Sequence, residues 1–350
     1  MKKLLAIVLT AAMLLAMLCA CAAKPTETAA TDTKATIGIL MPTKEQTIWS
    51  IQGERLTEAF QKAGYATQIE YAEDDSAKQA MQIENMITKG VNVLVIAAVD
   101  CAALTDACEK AKDAGIYVIA DDRLITNTKA VDFYVTFDLV RMGELQGQYI
   151  VDKLDLEIFS GSQDDTNAIS FYQGAMNKLQ PYLDNGKLVV KSGQSSYTET
   201  AIQSWDSSKA QSRMDNLLSG YYADSHLDAV LVAADCLALG VISSLESMGY
   251  GTDANPYPIV TGQDAELAAV KNILAGKQSM TAFLDANKLT EILVPVVDDL
   301  VAGKTPASDT TYNNGVFDVP TKTYDPYLID KDNVNYLVDV GFYTDAEING

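Results

Sequence analysis

The sequence predicts an α/β protein in which two doubly wound parallel sheets form two lobes. Short apolar runs alternate with segments whose apolar residues recur at helical spacing, and this alternation indicates parallel strands covered by helices on both faces. The alternation occurs in two consecutive series. The chain has 350 residues, which is too long for one ordinary core and long enough for two lobes of about 150 residues each.

The first series contains apolar runs that end at polar residues. The predicted strands cover residues 36–41, 68–71, 91–99, 116–123 and 131–137. The helices between them are marked by Ile51, Leu56 and Phe60, by Ala80, Ile83 and Ile87, and by Leu104, Cys108 and Ala111. Gly90 follows the second helical pattern, where a left-handed C-terminal cap is expected.

The second series repeats this organisation and predicts a second sheet. Its strands are expected near residues 157–160 and at residues 188–191, 229–234, 259–261 and 280–283. Helical spacing is seen in Met142, Leu145 and Tyr149, in Phe171, Ala175 and Leu179, in Met214, Leu217 and Tyr221, in Val241, Leu245 and Met248, and in Leu267, Val270 and Leu274. A longer stripe from Leu289 to Leu300 predicts one more helix.

Composition and motifs exclude several classes of protein. The net charge is −21, from 26 basic and 47 acidic residues, and the only basic stretch is Lys2 with Lys3, so nucleic acid is not expected as a partner. The single histidine, His226, provides neither a histidine metal cluster nor a catalytic triad. The sequence contains no phosphate-binding loop and no nucleophile elbow. We therefore predict no cofactor, no metal and no enzymatic activity.

The N-terminal residues have the pattern of an export signal. Lys2 and Lys3 precede an apolar run over residues 4–18, and the run ends at Cys19-Ala20-Cys21, which resembles a bacterial lipobox. We expect residues 1–20 to be a lipoprotein signal peptide, Cys21 to carry lipid, and residues 21–35 to form a flexible tether. The alternative is a plain secretory signal with incidental cysteines. Cys101 and Cys108 lie about 10 Å apart along one helix, too far for a disulfide, and are expected in the core.

Polar residues follow most of the predicted strands. In open parallel sheets, ligands bind beyond the carboxyl ends of the strands, so these residues are the first candidates for a site. They are Lys44, Asp100, Asp122, Arg123, Asp138, Asp165, Asn167, Gln194, Asp235, Gln263 and Asp264. Such a lining of acceptors and bidentate donors suits a small polyhydroxyl ligand. Asp100 and Asp138 are better explained as turn or helix caps, and Asp122 with Arg123 could instead form an internal ion pair.

The two tryptophans, Trp49 and Trp205, fall in predicted loops after strands, one in each series. The ring of a sugar has apolar C–H faces that flat aromatic side chains can cover while polar groups bind its rim. Their placement favours ligand contact. The alternative is that each tryptophan only packs its own lobe.

Several segments together resemble the bacterial monosaccharide-binding receptors for galactose, glucose, xylose and arabinose. These receptors are type I periplasmic binding proteins that serve sugar ABC importers and in some cases chemotaxis. The similar segments are MPTK (41–44), QIENMITKGVNVLVIA (82–97), ADDRLI (120–125), YVTFD (134–138), GSQDDTNA (161–168), LQPYLDNGKLVVKSGQ (179–194), QSRMDNLLSGYY (211–222) and TGQDAE (261–266). The resemblance covers almost all of the chain after the tether.

The resemblance implies two Rossmann-like lobes joined by three hinge crossings, with a sugar bound between them. The first lobe would comprise residues 36–138 and 285–318, and the second lobe residues 139–284 and 319–350. The crossings would lie near residues 138–142, 283–287 and 316–321.

The resemblance also assigns roles to particular residues. Asp122 and Arg123 would bind ring hydroxyls from the first lobe, and Asn167, Asp264 and Gln194 from the second. Trp49 and Trp205 would lie against the faces of the sugar. Asp235, Lys44 and Gln263 complete the candidate set as polar residues at strand ends. The chain departs from the family pattern at Ile48, Ala234 and Leu284, where relatives carry polar groups, and in a short connection over residues 154–159.

We therefore expect a monomeric, exported, lipid-anchored solute-binding protein that captures a monosaccharide and delivers it to an ABC permease. One alternative is a sensor with the same fold that reports a sugar or a furanosyl signal to a chemoreceptor or histidine kinase. A sugar-responsive repressor would require a basic helix-turn-helix where this chain has an export signal. A glycosidase would require an acid paired with a nucleophile, and no such pair is evident.

Overall fold

A computed structural model describes residues 34–151 and 155–350 of the chain. Residues Ala35–Gly350 group into one unit by their internal contacts. The predicted signal peptide, Cys21 and all but the last two residues of the predicted tether lie outside the described residues. So do residues 152–154, at the start of the short connection before the second series of strands.

The elements alternate along the chain as predicted. The strands are β1 (Thr36–Met41), β2 (Ala66–Tyr71), β3 (Val93–Ile96), β4 (Tyr117–Asp121), β5 (Phe133–Phe137), β6 (Leu156–Phe159), β7 (Ala229–Val232), β8 (Ile259–Val260), β9 (Met280–Phe283), β10 (Thr310–Asn313), β11 (Asp318–Tyr324) and β12 (Tyr327–Asp330). The helices are α1 (Thr47–Lys62), α2 (Ser76–Thr88), α3 (Thr105–Asp113), α4 (Leu139–Ile150), α5 (Ala168–Asp184), α6 (Tyr197–Thr200), α7 (Ser207–Tyr221), α8 (Asp235–Ser247), α9 (Leu267–Leu274), α10 (Ala286–Val301), α11 (Tyr336–Asp339) and α12 (Asp345–Asn349). A single 3-10 turn, Gln203–Trp205, precedes α7.

The first sheet has seven strands in the order β10, β11, β5, β4, β3, β1, β2. All its neighbouring pairs are parallel except β10 with β11. Side chains of β1 alternate between two apolar layers: Ile37 and Ile39 pack with α1 and α10, and Leu40 packs with α2 and α3. Helices therefore cover both faces, and the predicted doubly wound arrangement is confirmed.

The second sheet has a core of three parallel strands, β6, β7 and β8. A parallel bridge between Gln263 and Ala282 continues it to β9, which pairs antiparallel with β12. Helices α4 and α5 pack on one face and α7 and α8 on the other. The sheet is thus also covered on both faces, as the second series of the sequence predicts.

The chain passes between the two sheets after β5, after β9 and after β11. The first two passages lie within the predicted intervals 138–142 and 283–287. The third does not lie at 316–321, because β11 is parallel-paired with β5 from Thr321 to Tyr324. Residues 319–324 therefore belong with the first sheet, which corrects that part of the predicted lobe boundary.

Two local predictions are wrong. The predicted strand 188–191 contains only a single bridge from Val189 to Asp155, because turn hydrogen bonds from Leu188 N to Tyr182 O and from Gly193 N to Val190 O interrupt any ladder. Trp49 lies in the first turn of α1 and not in a loop, since the connection after β1 is short.

The prediction that Cys101 and Cys108 lie in the core is confirmed. Cys101 and Cys108 are buried free thiols in the apolar layer between the first sheet and α2 and α3. None of the helices in the described part of the chain combines the length and apolar character that a membrane span requires.

Candidate ligand-binding cleft

A cavity lies where the carboxyl ends of strands from both sheets face each other. The lining residues are Gln46, Ile48, Trp49, Asp122 and Arg123 from the side of the first sheet, and Asp165, Asn167, Phe171, Trp205, Ala234, Cys236, Gln263 and Asp264 from the side of the second. Residues from two sheets therefore line one cavity, which offers both polar and apolar surface.

Asp122, directly after β4, is held in a left-handed backbone conformation with φ 63°. Such a conformation is unfavourable for a residue with a side chain and persists when the surroundings fix it. The carbonyl oxygen of Asp122 accepts hydrogen bonds from Tyr134 Oη (2.6 Å), Thr136 Oγ1 (3.0 Å) and Asn167 Nδ2 (2.8 Å). These bonds keep its side chain at the cavity, where burial raises the pKa of the carboxyl well above its usual value.

The guanidinium of Arg123 is held on three sides. Its Nε lies 3.0 Å from Asp165 Oδ2, its Nη1 donates to the carbonyl of Ala98 (3.0 Å), and its Cζ lies 5.2 Å from the centroid of a Trp49 ring. Burial acts to lower the pKa of Arg123, but the carboxylates of Asp165 and Asp122 outweigh it and raise that pKa. Arg123 therefore stays charged inside the cleft and keeps further N–H donors beyond these two bonds.

The second sheet contributes a carboxyl group at the end of β8. Asp264 has φ 97°, and its Oδ1 accepts a hydrogen bond from Gln263 Nε2 at 3.3 Å. Burial, together with the nearby carboxylate of Glu266, raises the pKa of Asp264 to about 7, although the hydrogen bond from Gln263 and the charge of Arg123 oppose the shift. Asp264 and Asp122 thus place one carboxyl group on each side of the same cavity.

Two buried polar atoms of the lining have no hydrogen-bond partner among residues 34–151 and 155–350: Trp205 Nε1, a donor, and Gln263 Oε1, an acceptor. Buried polar groups in native proteins are almost always hydrogen-bonded, so each such atom needs an explanation. One donor and one acceptor without partners, on residues that line the same cavity, are what a bound polar ligand would satisfy.

The indole of Trp205 is fixed by its backbone and by a glycine. Ser204 and Trp205 both have positive φ, 61° and 52°, which turns the side chain back towards β6. A Cβ atom on Gly161 would lie 2.0 Å from Trp205 Cη2, so only glycine permits this close contact. Trp49 is buried, and its Nε1 donates to Gln46 Oε1 at 3.0 Å. The cleft therefore has one indole with a satisfied N–H and one without.

The cavity brings together seven residues of the predicted set, and three lie outside it. The seven are Trp49, Asp122, Arg123, Asn167, Trp205, Gln263 and Asp264. Gln194 Oε1 accepts a hydrogen bond from Arg213 Nη2 (2.8 Å). The ammonium of Lys44 lies 4.7 Å from the centroid of the Tyr71 ring, on an outer surface of the first sheet.

Asp235, at the start of α8, is the third residue outside the cavity. Its carboxylate is fully buried and accepts hydrogen bonds from Gln278 Nε2 (2.7 Å), Thr281 Oγ1 (2.9 Å) and Glu266 N (2.9 Å). With these bonds it joins α8, β9 and the loop before α9. The structure therefore supports a packing role for Asp235.

The sequence analysis missed three lining residues, Gln46, Phe171 and Cys236, and it named Asp165 among the strand-end residues without giving it a role in the site. Asp165 is a polar residue after a predicted strand, which is the pattern that indicates a ligand site. Phe171 instead fits the apolar stripe of a helix, and no local pattern distinguishes Gln46 as a site residue. Ile48 and Ala234, two of the departures from the family pattern, do line the cavity.

Asp100 and Asp138 cap turns, since their carboxylates accept hydrogen bonds from backbone N–H groups two or three residues later. Within the described ranges, no group of three or more His, Cys, Asp or Glu side chains is arranged to hold a metal ion.

The fold and the cleft define a class: a two-lobed binding protein whose ligand site lies between the carboxyl ends of two parallel sheets. The chain belongs to the periplasmic binding protein family, since the family model described as a periplasmic binding protein domain matches residues 37–305. This confirms the predicted fold class and the family resemblance. Members of this family are extracytoplasmic receptors and not enzymes.

Comparisons with known proteins agree with this assignment. The chain is 50% identical over 322 residues to the multiple sugar-binding periplasmic receptor ChvE of Rhizobium radiobacter, covering 89% of this chain and 91% of the receptor. It is 33% identical over 304 residues to the D-xylose-binding periplasmic protein of Escherichia coli, covering 86% and 88%. It also resembles the crystal structure of an ABC transporter solute-binding protein of Clostridium phytofermentans with bound β-D-glucose, with a TM-score of 0.84, 41% identity, and coverage of 89% and 99%.

Proposed function

We propose that this protein is an extracytoplasmic receptor that captures a monosaccharide between its two lobes and delivers it to an ABC importer. The observation that carries the proposal is the cavity between the two sheets, in which one buried donor and one buried acceptor lack partners in the part of the chain that the structure describes. The names of the relatives support it, because they are receptors for several sugars or for D-xylose, and the structural neighbour holds glucose.

The chemistry of the lining suits a sugar. Every hydroxyl of a monosaccharide both donates and accepts, so it needs donors and acceptors in alternation. Arg123 and Trp205 Nε1 are donors, and Gln263 Oε1 is an acceptor. The carboxyl groups of Asp122 and Asp264 accept in either form and also donate when protonated. The two indoles offer apolar surface for the C–H faces of the ring. We therefore assign the ligand class as an aldose such as glucose, galactose, xylose or arabinose.

The mechanism is capture by closure, without a covalent step. A ligand shifts an equilibrium between open and closed forms only by its preference for one of them. Contacts that come from both sheets exist only when the lobes are closed, so a ligand in this cavity favours the closed form. The closed form would then present both lobes to the permease.

The membrane anchor and the partner are further parts of the proposal. The export signal and the lipobox-like end of residues 1–20 support lipidation at Cys21 and an anchor in the membrane. The excess of acidic residues gives no support for a nucleic-acid partner. A single chain encloses the whole cavity, which supports a monomer as the functional unit.

The proposal is tested by calorimetric titration of the purified protein with D-glucose, D-galactose, D-xylose and L-arabinose. We expect saturable binding of at least one sugar. In the variant Trp205→Phe, which keeps an aromatic ring and loses the N–H, the Kd should rise by about threefold to tenfold, the usual effect of one neutral hydrogen bond. Trp205→Ala should weaken binding more.

The control for this variant is Tyr221→Phe, which changes an exposed aromatic residue of α7 far from the cavity lining. It should leave the Kd unchanged. The absence of binding heat with all four sugars would contradict the proposed function. An unchanged Kd in Trp205→Phe would contradict the role of its N–H.

A further inference from the structure

The orientation of Arg123 depends on a residue of the other sheet. Arg123 follows β4 of the first sheet, whereas Asp165 lies in the loop after β6 of the second. Their contact is made by Nε and Oδ2 at 3.0 Å, and the two side chains are only 11% and 5% exposed. Because this pair is shielded from water, the attraction between its charges is weakly screened.

Asp165 is itself held firmly by its own loop. Its Oδ1 accepts a hydrogen bond from the backbone N of Asn167 (2.9 Å), and its own N donates to the carbonyl of Ser162 (3.3 Å). One carboxylate oxygen thus fixes the loop while the other receives the guanidinium. The position of the Asp165 carboxylate is therefore fixed by its own loop and does not depend on the contact with Arg123.

The two residues after Asp165 also contact the first sheet's side of the cleft. Thr166 Oγ1 lies 3.5 Å from Cys101 Sγ, and Asn167 Nδ2 donates to Asp122 O (2.8 Å) and Oδ1 (3.0 Å). We name residues 165–167 the closing segment. Three consecutive side chains of this segment reach across the cleft, and two of them meet Asp122 and Arg123.

Without Asp165, the guanidinium would keep the Ala98 carbonyl and the Trp49 ring as neighbours, both on its own side of the cleft. It would still be attracted by the carboxylates of Asp122 and Asp74. The charge would therefore stay in the cleft, but the fork of N–H donors would no longer have a fixed direction. A bidentate donor binds well only when its direction is fixed.

We infer that Asp165 is a positioning residue that aligns Arg123 for the ligand only when the two sheets come together, so that ligand contact and lobe closure depend on each other. This inference rests on the proposed function and adds to it a residue that links the two events. It assigns no direct ligand contact to Asp165.

The kinetic consequence is specific. A ligand meets the open form first, in which Asp165 and Arg123 are apart, so the association rate constant should change by less than about threefold in Asp165→Asn. The dissociation rate constant should rise by at least about tenfold, because the closed form loses the contact that aligns its main donor. Both constants are measured by stopped-flow tryptophan fluorescence with the sugar that the wild-type protein binds.

Three further variants make the test decisive. Asp165→Glu keeps the charge and should recover part of the lost residence time. Asp164→Asn removes a neighbouring charge of the same loop and should bind the sugar like the wild type. Among the described contacts, the carboxylate of Asp164 accepts a hydrogen bond only from Gln203 Nε2 (2.8 Å). In an Arg123→Gln background, Asp165→Asn should have less than a threefold further effect, since Asp165 acts through Arg123.

The outcomes separate the inference from the proposed function. If the wild-type protein binds no monosaccharide, the proposed function fails, and the inference fails with it. If the wild type binds and Asp165→Asn has an unchanged dissociation rate constant, the inference alone is overturned. It is also overturned if Asp165→Asn weakens binding equally with and without Arg123, because the effect would then be a general loss of structure. Circular dichroism of each variant verifies the fold.

Discussion

The end of β4 places two adjacent aspartates in different surroundings. Asp122 faces the cavity, whereas Asp121 is fully buried behind it. Its Oδ2 accepts a hydrogen bond from Gln52 Nε2 (2.7 Å), and its Oδ1 has no partner among the described residues. Burial raises the pKa of Asp121 to about 7, and the bond from Gln52 only partly opposes this. A carboxyl group with one partner in an apolar site prefers its neutral form.

This environment predicts a pH dependence of stability. The pKa of Asp121 is higher in the folded protein than in the unfolded chain, so its stabilising contribution is complete below about pH 4 and is lost as the pH rises to about 7. Asp121→Asn removes this titration. The free energy of unfolding of the variant minus that of the wild type should therefore increase by up to about 4 kcal/mol between about pH 4 and about pH 7.

The measurement is urea denaturation at several pH values, with Asp224→Asn as the control at an exposed position. The same difference should stay flat for the control. Parallel curves for wild type and Asp121→Asn would show that Asp121 does not titrate in this range. Using the difference between the two proteins removes the contributions of the other buried carboxyl groups.

Helices α4 and α5 cross so closely that only glycine fits at the points where their backbones meet. A Cβ atom on Gly143 would lie 1.8 Å from Phe171 O, and one on Gly174 would lie 2.0 Å from Val140 O. The two backbones are therefore in contact at glycine, without intervening side chains. This crossing matters for the site, because α4 begins at the passage between the sheets and α5 carries Phe171 into the cavity.

The crossing predicts that Gly143→Ala is destabilising although alanine favours helices. The added methyl group must push the two backbones apart, and such overpacking costs about 1 to 3 kcal/mol or more. Gly220→Ala is the matched control, because Gly220 lies in helix α7 and an added Cβ would have no neighbour within 4 Å. That substitution should stabilise by up to about 1 kcal/mol. Urea denaturation midpoints measure both, and equal effects would contradict the close crossing.

At the scale of the whole molecule, contacts between the two sheets surround the cavity. They include the bonds of the closing segment and a hydrogen bond from Thr47 Oγ1 to Glu266 Oε2 at 3.4 Å. The described conformation is therefore closed. Since the cavity is formed by both sheets, a ligand that fills it should oppose opening and unfolding together.

This predicts that the preferred monosaccharide stabilises the protein. At a free concentration of about 100 times its Kd, the free energy of unfolding should rise by about 2.7 kcal/mol. Sorbitol is the control, because it has similar hydroxyls but no ring faces for the indoles. Thermal unfolding with each compound measures the effect. An equal shift with sorbitol at the same concentration would indicate a general osmolyte effect and contradict specific capture.

The cleft could be predicted from the sequence only in part, for reasons visible in single residues. Asp122 and Arg123 end a continuous apolar run, and the carboxyl end of a buried strand is a general place for ligands. Gln194 and Asp235 also follow predicted strands, but their side chains already have protein partners. Gln194 accepts a hydrogen bond from Arg213, and Asp235 accepts hydrogen bonds from Gln278 and Thr281. Strand ends thus indicate where a site can lie, whereas long-range partners decide which polar groups remain for a ligand.

The sequence by itself determined the class of fold, the order of most strands and helices up to Leu300, and the edge at which a ligand would lie. Local spacing of apolar residues is sufficient for this, because it decides which face of each element is buried. Only the tertiary structure decided that β11 joins the first sheet, that residues 188–191 form no strand, and that Asp165 holds Arg123. These features depend on contacts between segments that are far apart in the chain. The local spacing of apolar residues does not specify which distant segments will pair, so the sequence pattern alone could not predict them.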